Sequence, residues 1–324
     1  MSIADRYRMA LTLIVLSGLT GACSAPDNQT DIGTDAGMDT LVSASWLSDH
    51  LDDPDLVVLD CTVLVEPAES GGFSILSGRA SFEAGHIPTA GFADLMGELS
   101  DNEAPIRFAV QKPEQFRAAM SALGVSDDSR VVLYDASGSA WAARVWWMLR
   151  WIGFDNAALL DGGLDAWKAE GLPLATESVS RPAGSLTVSL RPELIVDRDE
   201  VLAATGDDSV RIIDALPEAL FSGEMSMYAR PGHIAGAENI PMQSLMDENG
   251  QFRSTNELEG LLEGDRDTRS ITYCGGGIAA SANAFVMTRL GYKDVAVYTA
   301  SLQEWAEDES LPMETVAEAE DTGE

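Results

Sequence analysis

The sequence predicts an α/β protein built from two tandem copies of one unit, each a mainly parallel sheet with helices on both faces. Short β-branched runs alternate with amphipathic helical stretches along the chain, the pattern of strand–helix–strand construction. These runs recur in the same order in the two halves of the 324 residues. One recurrence also ends in an unusual junction, Tyr273-Cys274-Gly275-Gly276-Gly277, where a strand gives way to a helix.

In the first copy the strand candidates are 56–59, 131–134 and 157–160, with helices over 113–123 and 141–151. The second copy offers strands 211–213, 271–273 and 295–297, with helices over 255–262 and 279–290, the last stopped by Gly291. The correspondence is residue by residue in places. Arg130-Val131-Val132-Leu133-Tyr134-Asp135 matches Ser270-Ile271-Thr272-Tyr273-Cys274, Leu59-Asp60 matches Ile213-Asp214, Gly85-His86-Ile87 matches Gly232-His233-Ile234, and Trp167 matches Trp305. The offset drifts from 154 at Asp60/Asp214 to 139 at Asp135/Cys274, so insertions separate the copies. Asp135 stands where Cys274 stands, which leaves the first copy without a nucleophile. The expected organisation is a first, inactive domain over 39–177, a linker over 178–192 rich in Pro, Gly and small polar residues, and a catalytic domain over 193–311. An acidic tail over 312–324 is expected to be disordered. Trp141, Trp146, Trp147 and Trp151 share helical spacing, which assigns them to core or domain-interface packing.

Cys274 is the candidate catalytic residue. Three glycines let successive N–H groups converge on one negative atom, and the following helix adds the positive end of its dipole. Together they stabilise a thiolate, or a sulfur carried on it, without a charged side chain. Gly275, Gly276, Gly277, Ile278 and Ala279 are therefore the candidate substrate-binding residues. No His, Cys or Asp cluster has metal-ligand spacing, and the chemistry needs neither metal nor cofactor. A cysteine phosphatase would need an arginine after five intervening residues to clamp phosphate, and Ala280 occupies that place.

Fifty-three acidic against twenty basic residues give a net charge of −33 with no basic patch, which argues against nucleic acid as a partner. Salt screens the resulting repulsion of anionic donors beyond about 10 Å at 0.1 M, leaving local amides to decide binding. The N-terminus carries Arg6 and Arg8, an apolar stretch over 9–19 and then Thr20-Gly21-Ala22-Cys23. The apolar run suits a signal peptide over 1–22 better than a membrane span. Its end resembles the bacterial lipoprotein signal, which implies lipidation of Cys23, a flexible tether over 23–38 and a location on the periplasmic or cell-surface side, with the membrane engaged only through the lipid. Cys61 follows a buried strand and is assigned to packing, although the sequence leaves a Cys61–Cys274 disulfide open.

From the Cys274 junction outward, the chain resembles the tandem-domain rhodanese family, the thiosulfate and 3-mercaptopyruvate sulfurtransferases. The resemblance implies two domains packed face to face with the active loop at their junction. It also implies a two-step transfer in which Cys274 takes a sulfur from a small donor as a persulfide and gives it to a thiophilic acceptor such as cyanide or a thiol. Thiosulfate is the expected donor and 3-mercaptopyruvate the alternative. This loop lacks the cations usual in thiosulfate-type members. The stretch where the mercaptopyruvate branch places carboxylate-binding arginines holds Leu216, Leu220 and Ser222, leaving Arg230 as the nearest candidate. His86 matches a family histidine and is kept as a possible accessory residue, although its recurrence as His233 favours a structural role. Arg144 is assigned no catalytic role. A rhodanese-like fold also serves in binding and sensing, so a non-catalytic lipoprotein is the competing reading.

Overall fold

A computed structural model describes residues 38–67, 73–136, 138–177 and 179–316. The signal segment, Cys23, nearly all of the tether and the last eight residues lie outside the described residues.

The first half contributes strands β1 (Leu41–Val42), β2 (Leu56–Asp60), β3 (Val63–Pro67), β4 (Phe73–Ser77), β5 (Gly91–Phe92), β6 (Arg130–Tyr134) and β7 (Ala157–Leu160). The second half contributes β8 (Ile195–Val196), β9 (Val210–Asp214), β10 (His233–Ile234), β11 (Glu238–Asn239), β12 (Arg269–Tyr273), β13 (Val295–Tyr298) and β14 (Met313–Glu314). One five-stranded sheet runs β1-β7-β6-β2-β5 and the other β8-β13-β12-β9-β11, so the two orders are the same. All pairings within these sheets are parallel.

Strand β2 is buried at every position because helices cover both faces. Along β6 the side chains alternate: Val131 and Leu133 enter one core, Val132 and Tyr134 the other. The first of these cores continues without a break into the second half, reaching Phe285, Tyr298 and Trp305. The bridge is made by the two helices that follow the equivalent junctions, Ala140–Trp151 and Ile278–Arg289, each twelve residues long. Trp146 meets Phe285 edge-on at 4.9 Å between ring centroids, and its indole N–H donates to the Ala157 carbonyl at 2.9 Å. Trp147 donates to the carbonyl of Leu194, and Trp141 packs on Phe108. The four tryptophans are thus packing residues, as their spacing predicts.

Three features depart from the sequence reading. Strands β3 and β4 form an antiparallel hairpin found only in the first half. The repeat offset falls by seven residues across it, from 154 at Asp60/Asp214 to 147 at His86/His233. Residues 179–191 form no helix or strand, but they are bonded along the first half. Gly184 N donates to Ser121 O, Thr187 to the Asp127 carboxylate, Ser189 N to Ile152 O and Arg191 N to Trp151 O. Finally, the expectation of a disordered tail from 312 is corrected at its start. β14 pairs antiparallel with β10, and the Trp305 indole donates to Pro312 O, so backbone bonding and a buried aromatic hold this stretch down.

The Trp146 contacts give a direct test. Trp146→Ala is expected to cost about 3–5 kcal/mol, read as a lowered midpoint in guanidinium unfolding.

Candidate active site

Cys274 lies immediately beyond β12 and is only 3 % exposed. Its backbone is pinned on both sides. Cys274 N donates to Ser301 Oγ at 3.1 Å, Leu302 N donates to Cys274 O at 3.1 Å, and Gln303 N donates to Gly275 O at 3.0 Å. Of the three glycines only Gly277 has a positive φ, 75°. The others are required by crowding. A Cβ on Gly275 would collide with the Tyr228 hydroxyl, and one on Gly276 with Nε2 of Gln303. On Gly277 a Cβ would sit 2.8 Å from both Nη1 of Arg144 and the backbone of Thr299. The expectation that all three glycines serve unusual backbone conformations is therefore corrected: two of them serve close approach.

The first half shows what this junction does with an anion. The Asp135 carboxylate accepts Ser139 N at 3.0 Å and Ala142 N at 2.9 Å, at the start of helix Ala140–Trp151. Ser139 has φ 66° and precedes that helix as Gly277 precedes Ile278–Arg289. Leu164 N donates to Asp135 O just as Leu302 N donates to Cys274 O. Superposing the helix starts makes Gly277 and Ala280 the counterparts of the two donating amides. Ala280 was not among the sequence candidates, because the helical turn needed to reach it becomes visible only once the first half is seen.

Ser301 is a second residue the sequence reading missed. Its φ is 54°, where the first half has Gly163 at 56°. A serine in this conformation is strained, and its hydroxyl accepts Cys274 N while donating to Tyr298 O at 2.7 Å. The signal was present in the repeat, where Gly162-Gly163 aligns with Ala300-Ser301.

Residues from the first half complete the site. The side chain of Gln303 accepts Arg107 N at 3.1 Å, which joins the loop to the other half of the chain. Arg107 and Phe108 also line an open pocket with Phe73, Leu76 and Met96 of the hairpin region. Arg144 is 1 % exposed, donates through Nη2 to Phe108 O at 2.9 Å, and feels the charge of Cys274. Burial, with Cys274 next, pushes the Tyr228 phenol well up, so it faces the loop as a neutral hydroxyl. Cys61 is a free, fully buried thiol, pushed up by burial and then by Asp60 and Asp135. Cys274 is also free, so the open question of a disulfide between them is answered by two separate thiols.

Two sequence candidates do not join the site. Arg230 donates to four backbone carbonyls, those of Trp305, Ala306, Asp308 and Leu311, at 2.7–3.0 Å. Its guanidinium spends four of its five N–H donors on carbonyls around the end of helix Ser301–Trp305, which leaves one and not the pair that a bidentate carboxylate clamp takes. His86 is fully buried, stacks on Phe82 at 3.9 Å and bonds through Nδ1 to Phe82 O. His233 does the same with Phe221, stacked at 3.7 Å and bonded to Phe221 O. Phe82 and Ile87 belong to the first half's outer core, whereas Cys274 belongs to the shared one. The repeated stack gives both histidines the same structural contact, and the Nε2 of His86 has no hydrogen-bond partner.

Comparison with known proteins agrees with this architecture. The Rhodanese-like domain model matches residues 43–170 and again 197–308. The 3-mercaptopyruvate sulfurtransferase of Escherichia coli K12 is 34 % identical over 281 residues, covering 85 % of this chain and 98 % of that protein. A thiosulfate/3-mercaptopyruvate sulfurtransferase of Arabidopsis thaliana is 32 % identical over 300 residues, covering 84 % and 86 %. The crystal structure of the E. coli 3-mercaptopyruvate sulfotransferase SseA superposes with a TM-score of 0.72 at 33 % identity, covering 81 % of this chain and 98 % of that one.

Asp214 supplies a test that depends on none of these relatives. Its Oδ1 accepts Leu216 N, its Oδ2 has no partner, and burial pushes its carboxyl up to about 6. The folded state therefore holds a proton that the unfolded chain has released above about pH 4, and stability falls as pH rises through 6. Asp214→Asn is expected to gain on wild type by up to about 3 kcal/mol between pH 4 and pH 7.5, measured by denaturant unfolding at both values.

Proposed function

We propose, from the premise that the chain belongs to the rhodanese family, that it is a sulfurtransferase working through a persulfide on Cys274. The observation that carries this reading is the Asp135 carboxylate, held by two amides at a junction equivalent to that of Cys274. A junction whose amides donate to a carboxylate in one half is suited to a thiolate in the other.

The transfer balances without a metal or a redox partner. Cys274 attacks the outer sulfur of thiosulfate, the sulfur–sulfur bond of the donor breaks, and sulfite leaves with the bonding pair. The outer sulfur remains on Cys274 as a persulfide with one negative charge. Cyanide, or another thiophilic acceptor, then attacks that sulfur and the cysteine departs as thiolate. The amides of Gly277 and Ala280 stabilise the charge in place, and Ser301 holds the Cys274 backbone against movement.

Thiosulfate is the donor we propose, because its transfer to a nucleophile such as cyanide requires no reductant; the loop offers neither donor its usual cations. A mercaptopyruvate carboxylate would need a cation, but Leu216 and Leu220 stand where one is expected and the Arg230 guanidinium is bonded to carbonyls. The competing donor, 3-mercaptopyruvate, is favoured by the identity to the E. coli enzyme. The further proposal of export, with Cys23 lipidated and the catalytic half on the periplasmic or cell-surface side, rests on the N-terminal sequence pattern.

Thiocyanate production from cyanide should be measured on the full chain with thiosulfate and with 3-mercaptopyruvate. Turnover above background is expected with thiosulfate and absent in Cys274→Ser; no turnover with either donor would leave a binding or sensing role in its place. For the N-terminus, metabolic labelling with palmitate should mark the wild-type chain and spare Cys23→Ala, and an unlabelled wild-type chain would refute lipidation.

A further inference from the structure

We propose that Arg144, contributed by the first half, is the positioning cation of the Cys274 loop, holding the negative charge of the thiolate and then of the persulfide across the domain junction. This rests on the sulfurtransferase reading and supplies the positive charge that the loop itself lacks.

The argument begins with an unusual burial. Arg144 is 1 % exposed, and it forms no ion pair among the described residues. One nitrogen, Nη2, donates to Phe108 O, while Nε and Nη1 have no hydrogen-bond partner. A charge placed this way is strongly destabilising unless a counter-charge faces it. The free Nη1 is directed at the loop, since a Cβ on Gly277 would lie 2.8 Å from it. Burial pulls the guanidinium down to about 10, Cys274 pulls it back up, and it stays charged at neutral pH.

The other ionisable groups around the thiol do not compete for this role. Tyr228 and Tyr273 feel the charge of Cys274 and are both pushed up by burial, so they remain neutral phenols. Asp214, beside the two tyrosines, is an acid. Arg107 meets the loop through its backbone, bonded to the Gln303 side chain, and also lines the open pocket, which leaves Arg144 as the cation in this set. Its counterpart in the second half, counted from the helix starts, is Ala282, so the charge is supplied in one direction only. Sulfur transfer suits a fixed cation. The site carries one negative charge as thiolate and one as persulfide, so Arg144 serves both states without moving.

The test is iodoacetamide labelling of the full chain, followed at the Cys274 peptide by mass, for wild type, Arg144→Met and Arg144→Lys. At pH 7 the methionine variant is expected to label about tenfold more slowly and lysine to restore most of the rate, with all three converging near pH 10. Equal labelling of wild type and Arg144→Met at pH 7 overturns the proposal, as does equal slowing of both variants at every pH. If the labelling behaves as expected while neither donor is turned over, the Arg144–Cys274 coupling stands and the sulfurtransferase reading falls.

Discussion

Amide N–H groups at the start of a buried helix need an acceptor, and in each half of this chain the last strand before that helix must deliver it. The first half meets the requirement with the Asp135 carboxylate, bonded to Ser139 N and Ala142 N. The second half places Cys274 at the same point. Much of the remaining structure follows from keeping these two junctions intact. The sheets fix where the strands end, the paired helices fix where the amides point, and the shared core from Val57 to Leu311 keeps both in register. The same junction thus carries a carboxylate in one half and a thiol in the other.

The difference between the halves lies in what is stacked on the loop. Around Cys274 every glycine is covered by a neighbour: Tyr228 on Gly275, Gln303 on Gly276, Arg144 and Thr299 on Gly277. Ser301 is held in a left-handed conformation where the first half relaxes to glycine, and its hydroxyl is used to anchor the Cys274 amide. Strain of this kind is tolerated where surrounding contacts over-determine the geometry, and here it falls on the residue that fixes the reactive backbone.

How far the site could be read in advance follows from sequence distance. Cys274, its glycines and the helix behind them are contiguous, so their strand–loop–helix arrangement was legible, as was the order of long apolar strands such as Leu56–Asp60 and Arg130–Tyr134. Two-residue strands such as β5 and β8 are too short to leave a periodic trace. Arg144 lies far from Cys274 in sequence and reaches the loop through helix packing between the halves, a contact no local pattern encodes. Arg230 was misread for the opposite reason. Its position in the chain suited a substrate clamp, while four of its five donors go to carbonyls some eighty residues away. The shared structural contact of both histidines was legible through repetition, since each stacks on a phenylalanine and bonds to its carbonyl.

The connection between the halves has a mechanical consequence. Residues 179–191 run along the first half fastened at Ser121, Asp127, Trp151 and Ile152. A connector bonded at so many points behaves as a strut, with no slack to pay out when the halves are pulled apart. Opening the junction would require exposing the Trp146–Phe285 contact and breaking the bond from the Trp147 indole to Leu194 O just beyond the connector. Sulfur must therefore be carried in and out through the rim of the cleft by molecules small enough, or side chains slender enough, to reach a thiol that stays recessed.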